Sequence, residues 1–266
     1  MRLKIKTRVI ALIAICAIGI AVVVDALLIE PRWIEVTHHH VPGRLAKPLK
    51  IVHLTDLHTY GAGEVELQVL SLVAAERPDL IVITGDLISS TDAYEGCREV
   101  LRGLHAPLGV WVVRGNHEIW APVKSDERGY YKSEGTTLLV NESTEVADGV
   151  WLAGFDDSFA GSPDLHRTVA NIPQDAFKVA LFHSPDFFDQ VAGKCDVALA
   201  GHTHGGQVRL PLLNPFWLPP SCGRYVDGWY EQSGSRMYVS RGIGTSILPV
   251  RFLCRPEIAV ITLEPY

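Results

Sequence analysis

Metal-competent side chains recur in short blocks along this chain. Asp56 and His58 form a D-x-H pair, and Asp86 follows Gly85. Asn116 lies in Gly115-Asn116-His117-Glu118, and His183 stands alone. His202 and His204 close the series in Gly201-His202-Thr203-His204. Two Asp, one Asn and four His make a mixed oxygen and nitrogen donor set. Such a set suits zinc, manganese or iron better than magnesium or calcium, which prefer oxygen alone. Seven donors exceed what one tetrahedral ion takes. They suffice for two divalent ions sharing a carboxylate, the arrangement that clamps a phosphoryl group in transfer. A single D-x-H or H-x-H is a weak signal, because one Asp or His after a strand usually caps it. The ordered set is specific.

The elements that must position these residues are legible as apolar runs. Leu49–Leu54 (LKIVHL), Leu80–Thr84 (LIVIT) and Val110–Val113 (VWVV) read as buried strands, as do Gly149–Ala153, Lys178–Phe182 and Asp196–Ala200. Glu64–Glu76 and Asp92–Leu104 carry helical periodicity between them. Short apolar strands alternating with helices predict an α/β domain with buried sheets. Five of these strands deliver a donor just past their C-terminal ends, the edge at which open α/β sheets bind ligands. The tail differs. Met237–Ser240 and Ile258–Leu263 read as strands with no helix between them, which predicts antiparallel pairing at the end of the sheet. Leu210–Pro220 (LPLLNPFWLPP) reads as a loop with an exposed apolar surface.

Several residues carry two readings. Glu118 is a candidate partner for His117 or for a ligand histidine, or a helix N-terminal acid. Arg114 either faces the site or pairs structurally at the strand end. His53 belongs to the core or behind the ligands. Gly242 and Gly244 allow backbone to approach a phosphate, although turn geometry alone explains them. His38, His39 and His40 sit in a polar stretch and read as solvated linker. His183-Ser184-Pro185-Asp186 holds Ser, His and Asp, but adjacent residues do not easily form a triad. His105 and His166 have no motif around them.

The chain has 266 residues, which suits one catalytic domain. Its formal net charge of −6 argues against nucleic acid as a partner. The five cysteines, Cys16, Cys97, Cys195, Cys222 and Cys254, contain no C-x-x-C pair; a thiolate metal site is not expected. At the N-terminus Arg2, Lys4, Lys6 and Arg8 precede an apolar run from Val9 to Val24, interrupted by Asp25 and resumed from Ala26 to Ile29. A bilayer core needs about 20 apolar residues, and the basic flank favours the cytoplasmic side. The expectation is a single-pass anchor over residues 1–29, a Pro-punctuated linker over 30–48 and a catalytic domain over 49–266. That places the domain on the outer face of the inner membrane. The alternative is a signal peptide cleaved at Val24-Asp25-Ala26 and a secreted domain.

The donor blocks resemble the signature blocks of the calcineurin-like metallophosphoesterase superfamily. Gly205-Gly206-Gln207-Val208, Tyr238–Thr245 and Arg255-Pro256-Glu257 extend the likeness to its bacterial membrane-associated or exported phosphodiesterases. The resemblance implies a central β-sandwich of mixed sheets flanked by helices. It implies two divalent ions (Mn, Zn or Fe), one on Asp56, His58, Asp86 and His204 and the other on Asp86, Asn116, His183 and His202, with Asp86 bridging. A hydroxide activated between them would attack phosphorus, and His117 would protonate the leaving oxygen or stabilise charge there. The substrate implied is a phosphoester, most often a diester. The membrane position suggests a lipid-linked one, and a nucleotide–lipid pyrophosphate of the UDP-diacylglucosamine type is the alternative. A non-catalytic metal-binding envelope protein is a further rival, although both Asn116 and His117 are present. A metal-dependent amidohydrolase is disfavoured because its H-x-H pair would come first rather than last.

Overall fold

The computed structural model describes residues 2–123 and 126–266, with side chains from residue 7 onward. Among the described residues twelve strands form two six-stranded mixed sheets. They are β1 (Glu35–Gly43), β2 (Leu49–Leu54), β3 (Leu80–Thr84), β4 (Val110–Val113), β5 (Thr136–Leu138) and β6 (Glu142–Ala147), then β7 (Val150–Gly154), β8 (Phe177–Leu181), β9 (Val197–Ala200), β10 (Gly228–Gln232), β11 (Ser235–Val239) and β12 (Glu257–Pro265). The first sheet runs β1-β12-β2-β3-β4-β5 and the second β10-β11-β9-β8-β7-β6. Four strand neighbours in the first sheet are parallel, and β12 is antiparallel to β2. In the second, β11, β9, β8 and β7 are parallel, flanked by antiparallel β10 and β6.

Strand alternation sends residues to two sides. Ile51, Leu80 and Val82 pack with Val179, Leu181, Val197 and Leu199 between the sheets. Val52, Leu54, Ile81 and Ile83 face the other way. There they meet α2 (Glu64–Glu76) through Val69 and Val73, and α3 (Tyr94–Gly103) through Cys97, Val100 and Leu101. The outer face of the second sheet buries Ala180 and Ala198 against Phe187, Phe188 and Val191. This is the α/β sandwich flanked by helices that the resemblance implied. Fully burying each such aliphatic contributes about 1.5–3 kcal/mol, which gives the strand exits a rigid base.

Two details differ from the sequence reading. The stretch expected as a linker contains β1, an edge strand in register with β12 from Glu35↔Glu257 to Gly43↔Pro265. Its three histidines alternate between faces, so they do not converge. His38 Nε2 meets Glu76 at 3.1 Å, His40 Nδ1 meets Glu264 at 2.7 Å, and His39 packs on Tyr238 with ring centroids 4.4 Å apart. The two tail strands also part company: β11 joins β9 in parallel, whereas β12 crosses to the other sheet and pairs antiparallel with β2.

The N-terminal run forms helix α1 (Arg2–Val24), continued by a π turn over Asp25–Ile29 and a 3₁₀ turn over Glu30–Arg32. It is the one helix among the described residues long and apolar enough to cross a membrane, and its side chains are exposed. The basic side chains Arg2, Lys4 and Lys6 lie outside the described residues. The end of this helix docks on the domain: Ala26 O accepts Arg251 N–H at 3.0 Å, and the buried Glu30 carboxylate accepts the N–H groups of Leu253 (2.8 Å) and Cys254. Cys16, Cys97, Cys195, Cys222 and Cys254 are all unpaired.

Candidate metal centre

All seven donors lie just beyond strands β2, β3, β4, β8 and β9, the first three in one sheet and the last two in the other. The C-terminal edges of both sheets therefore meet at one place. The chain must turn sharply there. Asp56, His58, Asp86, His202 and His204 have φ of 53°, 47°, 51°, 71° and 49°. Asp and His tolerate this left-handed region better than most residues, yet each instance costs up to about 1–3 kcal/mol and persists only where neighbours enforce it. Here they do. Asp56 N donates to Gly85 O at 3.1 Å, His58 N to Asp86 O at 3.0 Å, Ile243 N to Thr55 O at 3.1 Å and Gly244 N to Asp56 O at 2.6 Å. Gly115 presses so closely on Asp86 that a Cβ there would overlap the Asp86 carboxylate and sit 2.7 Å from its backbone nitrogen.

The side chains converge on the Asp86 carboxylate. Asp86 Oδ2 lies 3.3 Å from His183 Nε2 and 3.7 Å from His58 Nε2. On one side Asp56, His58 and His204 place their donor atoms within 4.8 Å of one another, and on the other Asp86, His183 and His202 do the same. A third group, His58, Asp86 and His117, meets the same distance. His204 Nε2 is 3.4 Å from Asp56 Oδ1 and 3.2 Å from His58 Nε2, and His202 Nδ1 is 3.0 Å from His183 Nε2.

These contacts fit cations. Carbonyls only accept, so His183 carries its proton on Nδ1, which donates to Thr84 O at 2.7 Å, and His202 on Nε2, which donates to Pro220 O at 2.7 Å. The opposite nitrogens, which face the centre, are thereby free to ligate. Two imidazole lone pairs at such separations repel unless a cation or proton lies between them. Asn116 Oδ1 is buried and has no hydrogen-bond partner among the described residues. A buried acceptor without a donor costs about 1–3 kcal/mol, a cost that an ion in the centre removes.

Electrostatics favour the neutral imidazole at three of the four histidines. Burial pushes His58 down to about 4 against the pull of Asp86, burial and His183 push His202 down to about 4, and burial and His58 carry His204 well below its usual range. Burial pulls the same way on His183, but the Asp86 and Asp56 carboxylates override it and raise His183. Asp86 mirrors this: burial opposes its charge, and His183 holds it well below the usual carboxylate range.

His117 sits at the rim. Its Nδ1 donates to Ser89 O at 3.3 Å, which leaves Nε2 available to a ligand, and its backbone N–H donates to Asp86 Oδ1 at 2.9 Å. Two openings meet at this ring. One is a cleft of about 640 Å³ bounded by His58, Tyr60, Ile243 and Leu27 at the end of the N-terminal helix. The other, about 440 Å³, is bounded by Asn116, His202, Trp120, Phe159 and Trp217.

The residues with two readings are now placed. Glu118 partners no histidine. Its buried carboxylate accepts the backbone N–H groups of Asp86 (2.9 Å), Leu87 (2.8 Å) and Gly115 (2.8 Å), and so fastens the β3 and β4 exits together. Arg114 turns away to Asp156 at 2.9 Å and Glu127 at 3.6 Å. His53 lies behind the centre with Nε2 2.7 Å from Thr84 Oγ1. Gly242 packs on Asp56, where a Cβ would come within 2.7 Å of the Asp56 Cβ. Ser184 donates to Asp157 at 2.5 Å rather than to His183.

Sequence reasoning missed three supports. Thr84 O and Pro220 O fix the tautomers of His183 and His202. Thr84 directly precedes Gly85-Asp86, a position that could have marked it; nothing marked Pro220. Arg251 is the third. Its fully buried guanidinium donates to the carbonyls of Gly244, Cys254, Arg241 and Gly242, at 2.6–3.1 Å, and holds the 241–244 turn against Asp56.

The chain is 34% identical over 253 residues to the uncharacterized metallophosphoesterase YkuE of Bacillus subtilis, covering 90% of this chain and 88% of that one. It is 31% identical over 249 residues to the phosphodiesterase YaeI of Escherichia coli, covering 88% and 90% respectively. Among solved structures, the phosphopantetheinyl hydrolase of Mycobacterium tuberculosis aligns with a TM-score of 0.41 at 15% identity, covering 78% of this chain and 96% of that one. The model of the calcineurin-like phosphoesterase family matches residues 49–206, and the chain belongs to that family.

Proposed function

We propose that the chain is a membrane-held, two-metal phosphodiesterase. The observation that carries the reading is the Asp86 carboxylate, set between two clusters of donors, with Asn116 and its unpartnered Oδ1 at the same opening. One ion is assigned to Asp56, His58, Asp86 and His204, the other to Asp86, Asn116, His183 and His202. Mn, Zn or Fe fits this donor set. Bound there, two divalent ions supply positive charge for the phosphoryl oxygens and lower the pKa of a bound water.

The protein's own groups do the rest. Thr84 O and Pro220 O orient the ligand rings, and Glu118 and Arg251 hold the turns that carry the acids. His117 is the proton donor at the leaving oxygen: water's oxygen joins phosphorus and gives up a proton, the ester P–O bond breaks, and the departing oxygen takes a proton from His117 Nε2, which the water's proton restores. The two openings that meet at His117 give room for two ester groups, which favours a diester over a monoester, as does the likeness to the phosphodiesterase YaeI of Escherichia coli. The exposed apolar helix holds the domain at a membrane, and the basic N-terminal flank favours its outer face.

The test is hydrolysis of bis-p-nitrophenyl phosphate and p-nitrophenyl phosphate by chelator-treated protein reloaded with Mn²⁺, Zn²⁺ or Fe²⁺. Metal-dependent turnover with the diester preferred is expected. His117→Ala lowers kcat by about 10²–10⁴-fold while metal content stays unchanged. Absence of metal-dependent turnover on both esters contradicts the reading, and full activity in His117→Ala removes its role as acid.

A further inference from the structure

An apolar groove adjoins the metal centre. It has a volume of about 300 Å³ and is lined by Val208, Phe216, Trp217, Ile247, Leu248 and Val250. Trp217 and Ile247 also line the opening that contains Asp86, Asn116 and His117, so the groove runs into the site. Its walls are large apolar side chains left open to solvent: Ile247 is 76% exposed, Phe216 69% and Leu248 62%. Ile247 has φ of 65°, a conformation that a β-branched residue rarely adopts, which marks a rim held in place at a cost. An exposed apolar surface of this kind beside a polar centre marks a binding site for an apolar partner.

Its position says which partner. Leu248 and Ile247 face a second cleft whose far wall is Leu27 and Pro31, at the end of the apolar helix. Leu27, Leu28 and Ile29 are themselves exposed. The segment that follows Leu248 is bonded directly to the end of that helix, through Arg251 N–H to Ala26 O and through the Leu253 and Cys254 N–H groups to Glu30. A bilayer that receives the helix therefore meets the groove at Ile247 and Leu248. A substrate whose apolar part sits in that bilayer can lay a chain along the groove while its phosphorus reaches the centre.

We propose that the groove is an acyl-chain subsite and that the substrate is a phosphodiester carrying a long hydrocarbon chain. The inference rests on the phosphoesterase reading above. Burying a methylene contributes about 0.8 kcal/mol, equivalent to a rate gain of up to about fourfold in kcat/KM for each methylene held.

The experiment uses the full chain in detergent micelles, loaded with Mn²⁺. The probes are alkyl p-nitrophenyl phosphates from methyl to dodecyl, which share one leaving group. In the wild type kcat/KM climbs with chain length until the groove is filled. Phe216→Ser flattens that climb and leaves the methyl ester's rate unchanged. Leu213→Ser, an exposed change outside the groove, keeps the climb. Micelle uptake of the longer esters is common to all three proteins, so the comparison between them reads the groove. The proposal is overturned by rates independent of chain length in the wild type, by a Phe216→Ser slope equal to the wild type, or by equal flattening in Leu213→Ser. If no ester is hydrolysed, including the methyl one, the phosphoesterase reading itself falls.

Discussion

Replacing Arg251 by lysine keeps the charge and loses the fork. The guanidinium spans two sides: Nη1 serves Cys254 O at 3.1 Å, while Nη2 and Nε serve Arg241 O, Gly242 O and Gly244 O at 2.6–3.1 Å. A lysine ammonium has three donors on one atom. Placed near the Nη2 position it can satisfy the three carbonyls there, but Cys254 O is stranded. A hydrogen bond from a charged group contributes about 1.5–3 kcal/mol. Both residues are buried cations, so most of the desolvation cost cancels in the comparison, and the stronger hydration of an ammonium adds to the loss. The expected destabilisation is about 2–3 kcal/mol, or a fall in Tm of about 4–12 °C for a domain of this size. The turn that Arg251 holds supports Asp56 through Gly244 N–H and Gly242. Metal affinity should therefore fall about tenfold, the lower end of what outer supports of a metal site contribute. Thermal unfolding by circular dichroism in detergent reads the first effect, and Mn²⁺ titration by calorimetry the second. A variant with wild-type Tm and wild-type metal affinity would refute the argument that this cation organises the centre.

Glu257→Gln tests a second buried cluster. Burial alone would raise this carboxyl, but Arg241 beside it and hydrogen bonds from Arg241 N, Thr37 and Tyr238 hold it below its ordinary value. A depressed carboxylate stabilises the fold above its unfolded pKa, and that stability is lost as pH falls through the folded value. The variant should be less stable than wild type by about 3 kcal/mol at pH 7, with the gap closing below about pH 4; a gap independent of pH contradicts this. Cutting the chain after Ala26 removes the acceptor of Arg251 N–H and should cost about 1–3 kcal/mol. Protein purified from membranes should accordingly have the mass of the uncut chain, and a mass lacking residues 1–26 would favour the signal-peptide alternative. A reporter fused after Tyr266 should be active on the outer side of the membrane; activity on the cytoplasmic side would reverse the orientation read from the basic flank.

The centre was legible because its chemistry and its scaffold left separate marks. Apolar runs such as Leu80–Thr84 declare buried parallel strands, and donors just past the ends of five such runs form a pattern that a single capping acid does not. Edge strands leave no such mark. β1 contains Thr37, three histidines and Pro42 and is held by backbone pairing to β12, so its side chains need not be apolar. The short strand β5 and the polar strand β6 escaped for the same reason. Of the two readings of Glu118, the helix N-terminal acid is the one the structure shows, and its bonds to Asp86 N and Leu87 N depend on two strands lying side by side, which spacing does not reveal. Arg251 and Pro220 act through carbonyls contributed by distant turns. Such contacts carry no residue-type signature, since any residue supplies a carbonyl.

The central claim is that seven side chains hold two ions with Asp86 between them. Anomalous scattering at the manganese edge, from crystals of the Mn²⁺-loaded protein, tests it most directly. The account predicts two peaks per chain about 3.5–4 Å apart, one beside Asp56, His58 and His204 and one beside Asn116, His183 and His202, with the Asp86 carboxylate touching both. A single peak, or two peaks that do not share Asp86, would contradict it.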